Sequence, residues 1–324
     1  MDKLIVVTGA LGFIGANLTK ALNKKGYTNL LLVDHLNTTD KWRNFGHLEF
    51  VDYLDREAFI KLVDSNTLTS HVEAVFHLGA CSSTTETDSN FLMENNYRYT
   101  KKLAQWTSER QIPMILASSA ATYGNGALGY SDDPALLPKY MPLNMYGMSK
   151  HLFDKWALGN GLYEGNLVGL KFFNVYGPHE EHKGNMRSVV YKAFHQILER
   201  GYVELFKSYH PHYKDGQQLR DFVYVDDAVK VMLYFFEHRE KHGLFNCGSG
   251  IARSWNDLAK AVFTSMVKKV DIRYVDMPDY LQGKYQYYTC ADTKRLHEAG
   301  YTEPFASLED GIRDYVQNYL ALQV

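Results

Sequence analysis

Short β-branched runs alternate with longer amphipathic stretches through the first half of the chain. The short runs have the length and flanking residues of buried strands, and predict strands at residues 4–7, 30–34, 48–51, 74–78 and 114–117. The stretches between them predict helices over residues 13–25, from an N-cap at Asp55 to about Val63, and over residues 88–110. Alternation of this kind predicts a parallel sheet, wound right-handedly and covered by helices on both faces.

The second half begins with the same pattern and then becomes less regular. Residues 144–160 predict a helix and residues 167–173 predict a strand. Past Gly177 the rhythm weakens, which indicates a second region built from insertions. Residues 221–236 are interpreted as a strand and a helix that return to the sheet.

The size and composition of the chain are those of an ordinary globular protein. Its 324 residues, 45% hydrophobic and 22% charged, suffice for one large domain or for two that share an interface. We expect an α/β fold with a doubly wound parallel sheet (Rossmann) and a smaller, interleaved α/β substrate domain. The predicted boundaries are 1–173, with 222–250 returning to it, for the first domain, and 174–221 with 251–324 for the second.

The net charge, the cysteines and the apolar runs limit the cellular location and the classes of binding partner that we expect. The formal net charge of −2 gives no electrostatic reason to expect nucleic acid or an anionic membrane as partner. Cys81, Cys247 and Cys290 are widely spaced, which suits a reducing compartment and argues against a disulfide framework. The first apolar run is short and ends in a glycine turn, and no run reaches the length of a membrane span. We therefore expect a cytoplasmic protein with neither signal peptide nor membrane partner.

The segment TGALGFIG at residues 8–15 has the form of a dinucleotide-binding loop. It places Gly9, Gly12 and Gly15 between a predicted strand and a predicted helix, where glycines let the backbone approach a pyrophosphate at the helix N-terminus. Asp34 follows about 20 residues later, at the end of the second predicted strand. Together these features predict a dinucleotide site rather than a simple tight turn.

The residues themselves leave the choice between NAD and NADP open. A carboxylate at Asp34 favours NAD, because it would repel a 2′-phosphate. However, the cationic or titratable side chains of His35, Lys41, Arg43 and Arg56 follow closely and could neutralise that phosphate.

A second motif predicts acid–base chemistry at the same edge of the sheet. ASSAATYG at residues 117–124 ends the fifth strand, and Tyr146 and Lys150 lie four residues apart on one face of the next predicted helix. A lysine ammonium near the phenol, together with a positive nicotinamide ring, would favour the phenolate and so make Tyr146 a usable base. A hydroxyl from Ser118 or Ser119 could hold the substrate oxygen.

These motifs, in this order, resemble those of the extended short-chain dehydrogenase/reductase superfamily. The resemblance covers essentially the whole chain and includes NVYGP at 174–178 and RDFVYVDD at 220–227. It implies a nucleotide-sugar substrate, a tightly held nicotinamide cofactor, and contact between Arg220 and the substrate diphosphate, which a guanidinium fork suits.

More particular stretches resemble the family of ADP-L-glycero-D-manno-heptose 6-epimerases. They are HLGACSSTTE (77–86), ENNYRYTKKL (94–103), ASSAATYG and FFNVYGPHEEHKGNM (172–186). The resemblance implies NADP rather than NAD, epimerisation at C6 of the heptose by transient oxidation and re-reduction, and a role in lipopolysaccharide inner-core synthesis. It also implies a homo-oligomer, a pentamer, with Lys183 as a second acid–base group opposite Tyr146.

The resemblance further implies the contacts of the site. Catalytic residues are Tyr146, Lys183, Lys150 and Ser119. Cofactor contacts are Gly9, Gly12, Phe13, Ile14, Gly15, Asp34, His35, Lys41, Arg56, Leu78, Gly79, Ala80, Cys81, Ser82, Asn95, Lys150 and Val175. Substrate contacts are Ser119, Asn174, Lys183, Asn185, Lys192, Phe206, Lys207, Ser208, Tyr209, Arg220 and Tyr285. The chain departs from the common pattern of the family at His179, Asn185 and Lys192, which leaves the heptose contacts less certain than the redox residues.

The loop PHEEHKGNM at residues 178–186 also suggests a metal site, but its spacing argues against one. His179 and His182 are three residues apart and follow a Gly-Pro turn, whereas zinc helices space two histidines four apart. Glu180 and Glu181 are therefore interpreted as part of a solvated polar loop, and no metal is expected.

Three alternatives stay open from the sequence. A UDP-hexose 4-epimerase would need Tyr146 but not Lys183. A nucleotide-sugar 4,6-dehydratase normally carries Asp-Glu where this chain has Ala120-Ala121, which argues against dehydration. A non-catalytic NADP-sensing module would keep the glycine loop but lose the tyrosine or the lysine, and this chain has both.

Overall fold

The computed structural model describes residues 3–68, 71–279 and 285–323. The strands of these ranges are numbered in chain order and are listed here with their bounds: β1 Leu4–Thr8, β2 Leu30–Asp34, β3 Asp52–Asp55, β4 Val72–His77, β5 Met114–Ser119, β6 Leu167–Phe172, β7 Asn174–Tyr176, β8 Val203–Phe206, β9 Leu219–Tyr224, β10 Gly243–Cys247, β11 Ala252–Ser254 and β12 Ile272–Val275. The helices are α1 Phe13–Lys24, α2 Arg56–Asp64, α3 Ser89–Leu92, α4 Tyr99–Glu109, α5 Met145–Gly159, α6 Val189–Arg200, α7 Val225–Glu237, α8 Trp255–Ser265, α9 Lys294–Glu298 and α10 Leu308–Asn318.

The centre of the described fold is a seven-stranded sheet in the order β3-β2-β1-β4-β5-β6-β10. Every neighbouring pair of strands in it is parallel. Strands β1, β2, β6 and β10 are buried along their whole length, as expected for a sheet covered by helices on both faces. The predicted fold class, a doubly wound α/β sheet, is confirmed.

The predicted position of the third strand is wrong by a few residues. The strand was expected at 48–51, the more apolar segment, but β3 runs over Asp52–Asp55 and pairs with Leu31–Asp34 of β2. It is the edge strand of the sheet and is only partly buried, so it needs little apolar character. The predicted N-cap at Asp55 is confirmed, because its carboxylate accepts a hydrogen bond from the Glu57 amide at 2.9 Å.

The single helix predicted over residues 88–110 is divided into three parts. It begins as α3, widens into a π-helical turn at Met93–Arg98, and continues as α4. A π-turn inside a helix re-aims the side chains that it carries and is frequent at functional sites. Here it carries Asn95 and Asn96 toward the end of β4.

A smaller region is built from two minor sheets outside the large one. Strands β11, β9 and β7 form one, and β12 with β8 forms the other. Helices α6, α8 and α10 cover them and share a separate apolar core that includes Val190, Val262 and Ile312. The division of the chain into two domains with the boundaries given above stays a prediction.

The prediction that residues 221–236 return to the large sheet is correct only for the helix. Side chains of α7 such as Met232 and Phe236 pack in the same core as the large sheet. The strand β9 pairs instead with β7 and β11, because β10 already occupies the edge position beside β6.

Helices long and apolar enough to cross a bilayer are not found within the described ranges.

Candidate active site

A cleft of about 620 Å³ opens at the carboxyl ends of the central strands, where the strand order reverses between β1 and β4. Ligands of open α/β sheets bind at such a point. All the residues predicted to contact the cofactor line this cleft. They are Gly9, Gly12, Phe13, Ile14, Gly15, Asp34, His35, Lys41, Arg56, Leu78, Gly79, Ala80, Cys81, Ser82, Asn95, Lys150 and Val175.

The glycine loop has a shape that fits a dinucleotide. Gly9 has φ +68°, and a Cβ there would lie 2.6 Å from the Gly79 amide nitrogen. A Cβ at Gly15 would lie 2.0 Å from the Gly9 carbonyl oxygen. Gly12 is the N-cap of α1 and supplies no side chain to its first amides, so the helix N-terminus can face an anion. Because these three residues have no side chains, the space beside the backbone of the loop stays open.

Asp34, at the end of β2, is buried and already satisfied by neighbouring groups. Its carboxylate accepts hydrogen bonds from the amides of Leu11 at 2.9 Å and His35 at 2.7 Å. It also forms an ion pair with Lys41, with Nζ 3.0 Å from Oδ1. A cation therefore sits directly beside the carboxylate that nominally selects NAD.

A buried histidine that the sequence interpretation treated only as part of a strand braces this end of the sheet. Nδ1 of His77 lies 2.6 Å from the Thr8 hydroxyl and Nε2 lies 2.8 Å from the Thr100 hydroxyl, so the ring joins β1, β4 and α4. Burial, together with a smaller contribution from the Lys150 charge, lowers the pKa of His77 to about 3, so the ring is neutral near pH 7. The signal for this role was a lone polar residue at the end of an apolar strand.

The π-turn fixes the loop that follows β4. The Asn96 side chain accepts from the Cys81 amide at 2.9 Å and donates to the Cys81 carbonyl at 2.9 Å and to the Ser149 hydroxyl at 3.1 Å. Burial raises the pKa of the Cys81 thiol, which therefore stays protonated. The Cys81 residue lines the cleft.

The predicted catalytic residues Ser119, Tyr146 and Lys150 meet in the cleft. The Lys150 ammonium donates to the Ala117 carbonyl at 2.8 Å, and burial lowers its pKa to about 8. Burial also raises the pKa of the Tyr146 phenol, while a hydrogen bond with Ser119 lowers it. In the chain by itself the Tyr146 phenol is therefore protonated near pH 7.

Behind these residues lies a fully buried ion pair that the sequence interpretation did not find. Lys171 Nζ is 2.6 Å from Asp154 Oδ2, and both side chains are about 1% exposed. The Asp154 carboxylate also accepts from the hydroxyls of Ser118 at 2.7 Å and Tyr163 at 3.2 Å, and Lys171 donates to the Thr122 hydroxyl at 2.7 Å. The network links β5, β6 and α5. Its one sequence signal is that Asp154 follows Lys150 by four residues on the same helix.

Lys183 also lines the cleft and lies on a short 3-10 turn at Glu181–Met186. Its ammonium lies over the ring of Phe13, 5.0 Å from the ring centre. Burial lowers the pKa of Lys183, and Glu180 opposes that change. The structure therefore brings Lys183, the predicted second acid–base residue, into the cleft that holds Tyr146.

Most residues predicted to contact the substrate do not line this cleft; only Ser119 and Lys183 do. Asn174 is exposed in β7, and Asn185 and Lys192 are exposed and joined by a 2.7 Å hydrogen bond from Nζ to the carbonyl. Four of the remaining residues follow one another at the end of β8 and in the turn after it. They are Phe206, Lys207, Ser208 and Tyr209, of which Lys207 and Tyr209 both bind the Asp276 carboxylate.

Arg220 and Tyr285 lie together in the smaller region. The guanidinium lies 5.0 Å from the ring centre of Tyr285 and 5.6 Å from that of Trp255. It donates to the main-chain carbonyls of Leu219 and Gln286. Its contact with a diphosphate stays a prediction.

The loop at residues 178–186, whose histidines and glutamates suggested a metal site, has neither the geometry of a metal site nor that of a fully solvated loop. Among the residues that the structure describes, His, Cys, Asp and Glu side chains do not gather in threes suited to a metal ion. His179 has φ +70° and its Nδ1 lies 3.1 Å from Asn44 Oδ1. Glu180, expected to be solvated, is instead fully buried, because its carboxylate binds Ser188 and Tyr315.

The fold and the glycine cradle of the cleft are typical of enzymes that bind a nicotinamide dinucleotide. A family model described as the NAD dependent epimerase/dehydratase family matches residues 5–248, and the chain belongs to this family.

Full-length relatives place the chain more narrowly, among proteins named ADP-L-glycero-D-manno-heptose-6-epimerase. The protein of that name from Nitratidesulfovibrio vulgaris strain DP4 is 49% identical over 318 residues, 98% of each chain. The one from Fusobacterium nucleatum subsp. nucleatum is 48% identical over 326 residues, also 98% of each chain. The crystal structure of the Helicobacter pylori protein of that name superimposes with a TM-score of 0.83 at 26% identity, covering 99% of this chain and 97% of that chain. The resemblance inferred from the motifs is confirmed.

Proposed function

We propose that this protein converts ADP-D-glycero-D-manno-heptose to ADP-L-glycero-D-manno-heptose by epimerisation at C6. The observation that carries the proposal is the convergence of Tyr146 and Lys183 on one cleft from different elements, beside a glycine cradle that fits a dinucleotide. Names of relatives at 42–49% identity support the choice of substrate. We place the reaction in lipopolysaccharide inner-core synthesis, where this heptose is the donor.

Inversion at C6 by oxidation and re-reduction requires that a proton leave the C6 hydroxyl and that a proton later return to that oxygen, and we assign these two transfers to two different side chains. When bound, the nicotinamide ring supplies the acceptor and donor of hydride at C6. In this direction Tyr146 takes the proton of the C6 hydroxyl during oxidation, with Ser119 holding the oxygen and Lys150 contributing positive charge. After the carbonyl intermediate presents its other face, Lys183 gives a proton to the same oxygen during re-reduction, and the two residues exchange these roles in the reverse reaction.

The position of Lys183 favours a heptose epimerase over a 4-epimerase. A 4-epimerase of the same superfamily needs Tyr146 but no second acid–base residue, whereas Lys183 lines the cleft, its pKa is lowered by burial and its ammonium lies over Phe13. A dehydratase would require carboxylates where Ala120 and Ala121 stand.

The cofactor that we propose is NADP. The carboxylate of Asp34 is engaged by two amides and by Lys41, and His35 and Arg56 also line this part of the cleft. Cations here would offset the repulsion between Asp34 and a 2′-phosphate. Mass spectrometry of the nucleotide released on denaturation tests this: NADP is expected. A Lys41→Met variant should release less NADP relative to NAD, with the exposed Lys294→Met as control.

The substrate is tested by following C6 stereochemistry by NMR after adding ADP-D-glycero-D-manno-heptose to the purified protein. Formation of the L-glycero epimer is expected. No interconversion, together with turnover of UDP-galactose, would contradict the proposal and favour a 4-epimerase.

We also propose a homo-oligomeric protein, a pentamer. Light scattering coupled to size-exclusion chromatography tests this, because a pentamer of a 37.2 kDa chain has five times that mass. A mass equal to that of one chain would contradict it.

A further inference from the structure

Glu180 is a buried carboxylate three residues before Lys183. Its side chain has no exposed surface and accepts three hydrogen bonds: from the Ser188 hydroxyl at 2.6 Å, from the Ser188 amide, and from the Tyr315 hydroxyl at 3.1 Å. Burying a carboxylate costs several kcal/mol unless donors satisfy it, so these three groups are what makes the position tolerable. An apolar side chain of similar size would fill the space at lower cost, which suggests a role other than packing.

The same residue closes the loop that carries Lys183. The Lys183 amide donates to the Glu180 carbonyl at 3.0 Å, which starts the turn. The turn breaks at Gly184, where φ is +53° and ψ is −126°. The chain then returns to Ser188, the N-cap of α6, which is bound by the Glu180 carboxylate. One side chain therefore ties both ends of the loop together, and Tyr315 ties it to α10.

We infer that Glu180 is a positioning residue that fixes the Lys183 loop against α6 and α10, and so sets where the Lys183 amine enters the cleft. The inference rests on the acid–base role proposed above for Lys183. Positive φ angles at His179 and at Gly184 interrupt the regular structure of this segment, so side-chain contacts such as those of Glu180 help to set its geometry.

The charges around the loop are consistent with this assignment. Lys183 is faced by Glu180, which raises its pKa, and by Lys192, which lowers it. Tyr315 is faced by Glu180, Glu181 and Tyr191. Because Glu180 is the favourable charge next to Lys183, neutralising it should lower the pKa of Lys183 further.

The test is Glu180→Gln, read first by a method that needs no substrate. Competitive acetylation with acetic anhydride over a range of pH, followed by mass spectrometry of the peptides, reports the pKa and reactivity of Lys183, with the exposed Lys294 as internal reference. The Lys183 titration is expected to move to lower pH. Glu181→Gln removes the same charge one residue away and is expected to leave the Lys183 titration in place.

Activity is the second readout. A displacement of about 1 Å at a reacting group can cost about 100-fold, so we expect Glu180→Gln to lower epimerase kcat by about 10- to 100-fold per folded molecule while the NADP content is retained. An unchanged Lys183 titration, with activity lost only in proportion to folded protein, would overturn the inference.

Two milder variants keep the inference testable if Glu180→Gln does not fold. Ser188→Ala and Tyr315→Phe each remove one donor but keep the charge, and both are expected to raise the acetylation rate of Lys183. Unchanged rates in both would also overturn the inference. If the variants change the acetylation of Lys183 but the wild type does not turn over the heptose substrate, only the proposed function is contradicted. Failure of the inference about Glu180 can therefore be distinguished from failure of the proposed function.

Discussion

The two proposed acid–base residues are held by two different kinds of structure. Tyr146 lies in the first turn of α5, capped by Asn144 and backed by the Asp154–Lys171 pair. Lys183 lies in a 3-10 turn between residues of positive φ, and its loop is anchored by Glu180. The first side, called the rigid side, is built on a regular helix beside the sheet, whereas the second, the loop side, has its two ends joined by one buried carboxylate. A catalytic group on a regular element is fixed by the fold, whereas one on a loop needs side-chain contacts to hold it.

The largest effect is expected on the rigid side. Tyr146→Phe should lower epimerase kcat by about 10²- to 10⁴-fold, the usual contribution of a general acid–base group, because it removes the phenol proposed to take the proton of the C6 hydroxyl. The variant should still hold the cofactor, measured by absorbance of the purified protein. Tyr274→Phe removes a hydroxyl that bonds Asn256 and should be fully active. Loss of cofactor in Tyr146→Phe would mean that this tyrosine is structural.

Replacing Lys183 on the loop side should lower epimerisation about as much as Tyr146→Phe does, but it should leave part of the hydride chemistry intact. Lys183→Met should prevent inversion while oxidation and reduction of an aldehyde surrogate survive on one face, because Tyr146 still serves that face. The measurement is dismutation of the surrogate beside heptose epimerisation. Full epimerase activity would remove Lys183 from the mechanism.

The buried ion pair of Asp154 and Lys171 behind Tyr146 leads us to expect that variants on the rigid side change the free energy of unfolding. Asp154→Asn leaves Lys171 charged and buried, and should lower the free energy of unfolding by about 3–5 kcal/mol. Adding Lys171→Met should recover most of that loss, because no buried charge is then left without a partner. Urea unfolding of both variants measures this. A double variant no more stable than Asp154→Asn would show that the packing, rather than the charge, matters.

A smaller effect is expected from His77 as the pH falls. The folded pKa is about 3, against an ordinary value of 6.5, so the unfolded chain takes up a proton first and stability is lost as pH falls from 6.5 toward 3. At pH 5.5 this loss is about 1 kcal/mol. Burial raises the pKa of Asp132 to about 6, so this residue stabilises the folded chain as the pH falls. The contribution of His77 must therefore be measured as the difference between the wild type and a variant that lacks the histidine.

The control for that effect is His77→Gln, which cannot titrate. Between pH 7.5 and 5.5 its unfolding free energy should fall by about 1 kcal/mol less than that of the wild type. Equal losses in both proteins would show that His77 is already accessible to protons in the folded state.

The sequence predicted the rigid side well because its signals are local. The glycine loop, Asp34 and the Tyr146–Lys150 spacing each lie within one strand–helix unit, and the structure gathers them as expected. The third strand was misplaced because an edge strand needs no apolar run. The ion pair of Asp154 and Lys171 was missed because neither residue belongs to a recognisable sequence motif.

The loop side was predicted less well because its contacts are distant in sequence. Glu180 and Tyr315 are 135 residues apart, and no local pattern indicates that they meet. Glu180 was therefore interpreted as solvated when it is buried. Most of the predicted substrate contacts, Arg220 among them, likewise depend on how the smaller region folds against the cleft.

The central claim is that Tyr146 and Lys183 exchange only the proton on the C6 oxygen, never the hydrogen on C6 itself. The most direct test is the wild-type reaction in D2O, with the C6 position of the product examined by NMR and mass spectrometry. The L-glycero product is expected to carry no solvent deuterium at C6. Deuterium at C6 would mean that one of these residues removes a carbon-bound proton, and would contradict the account.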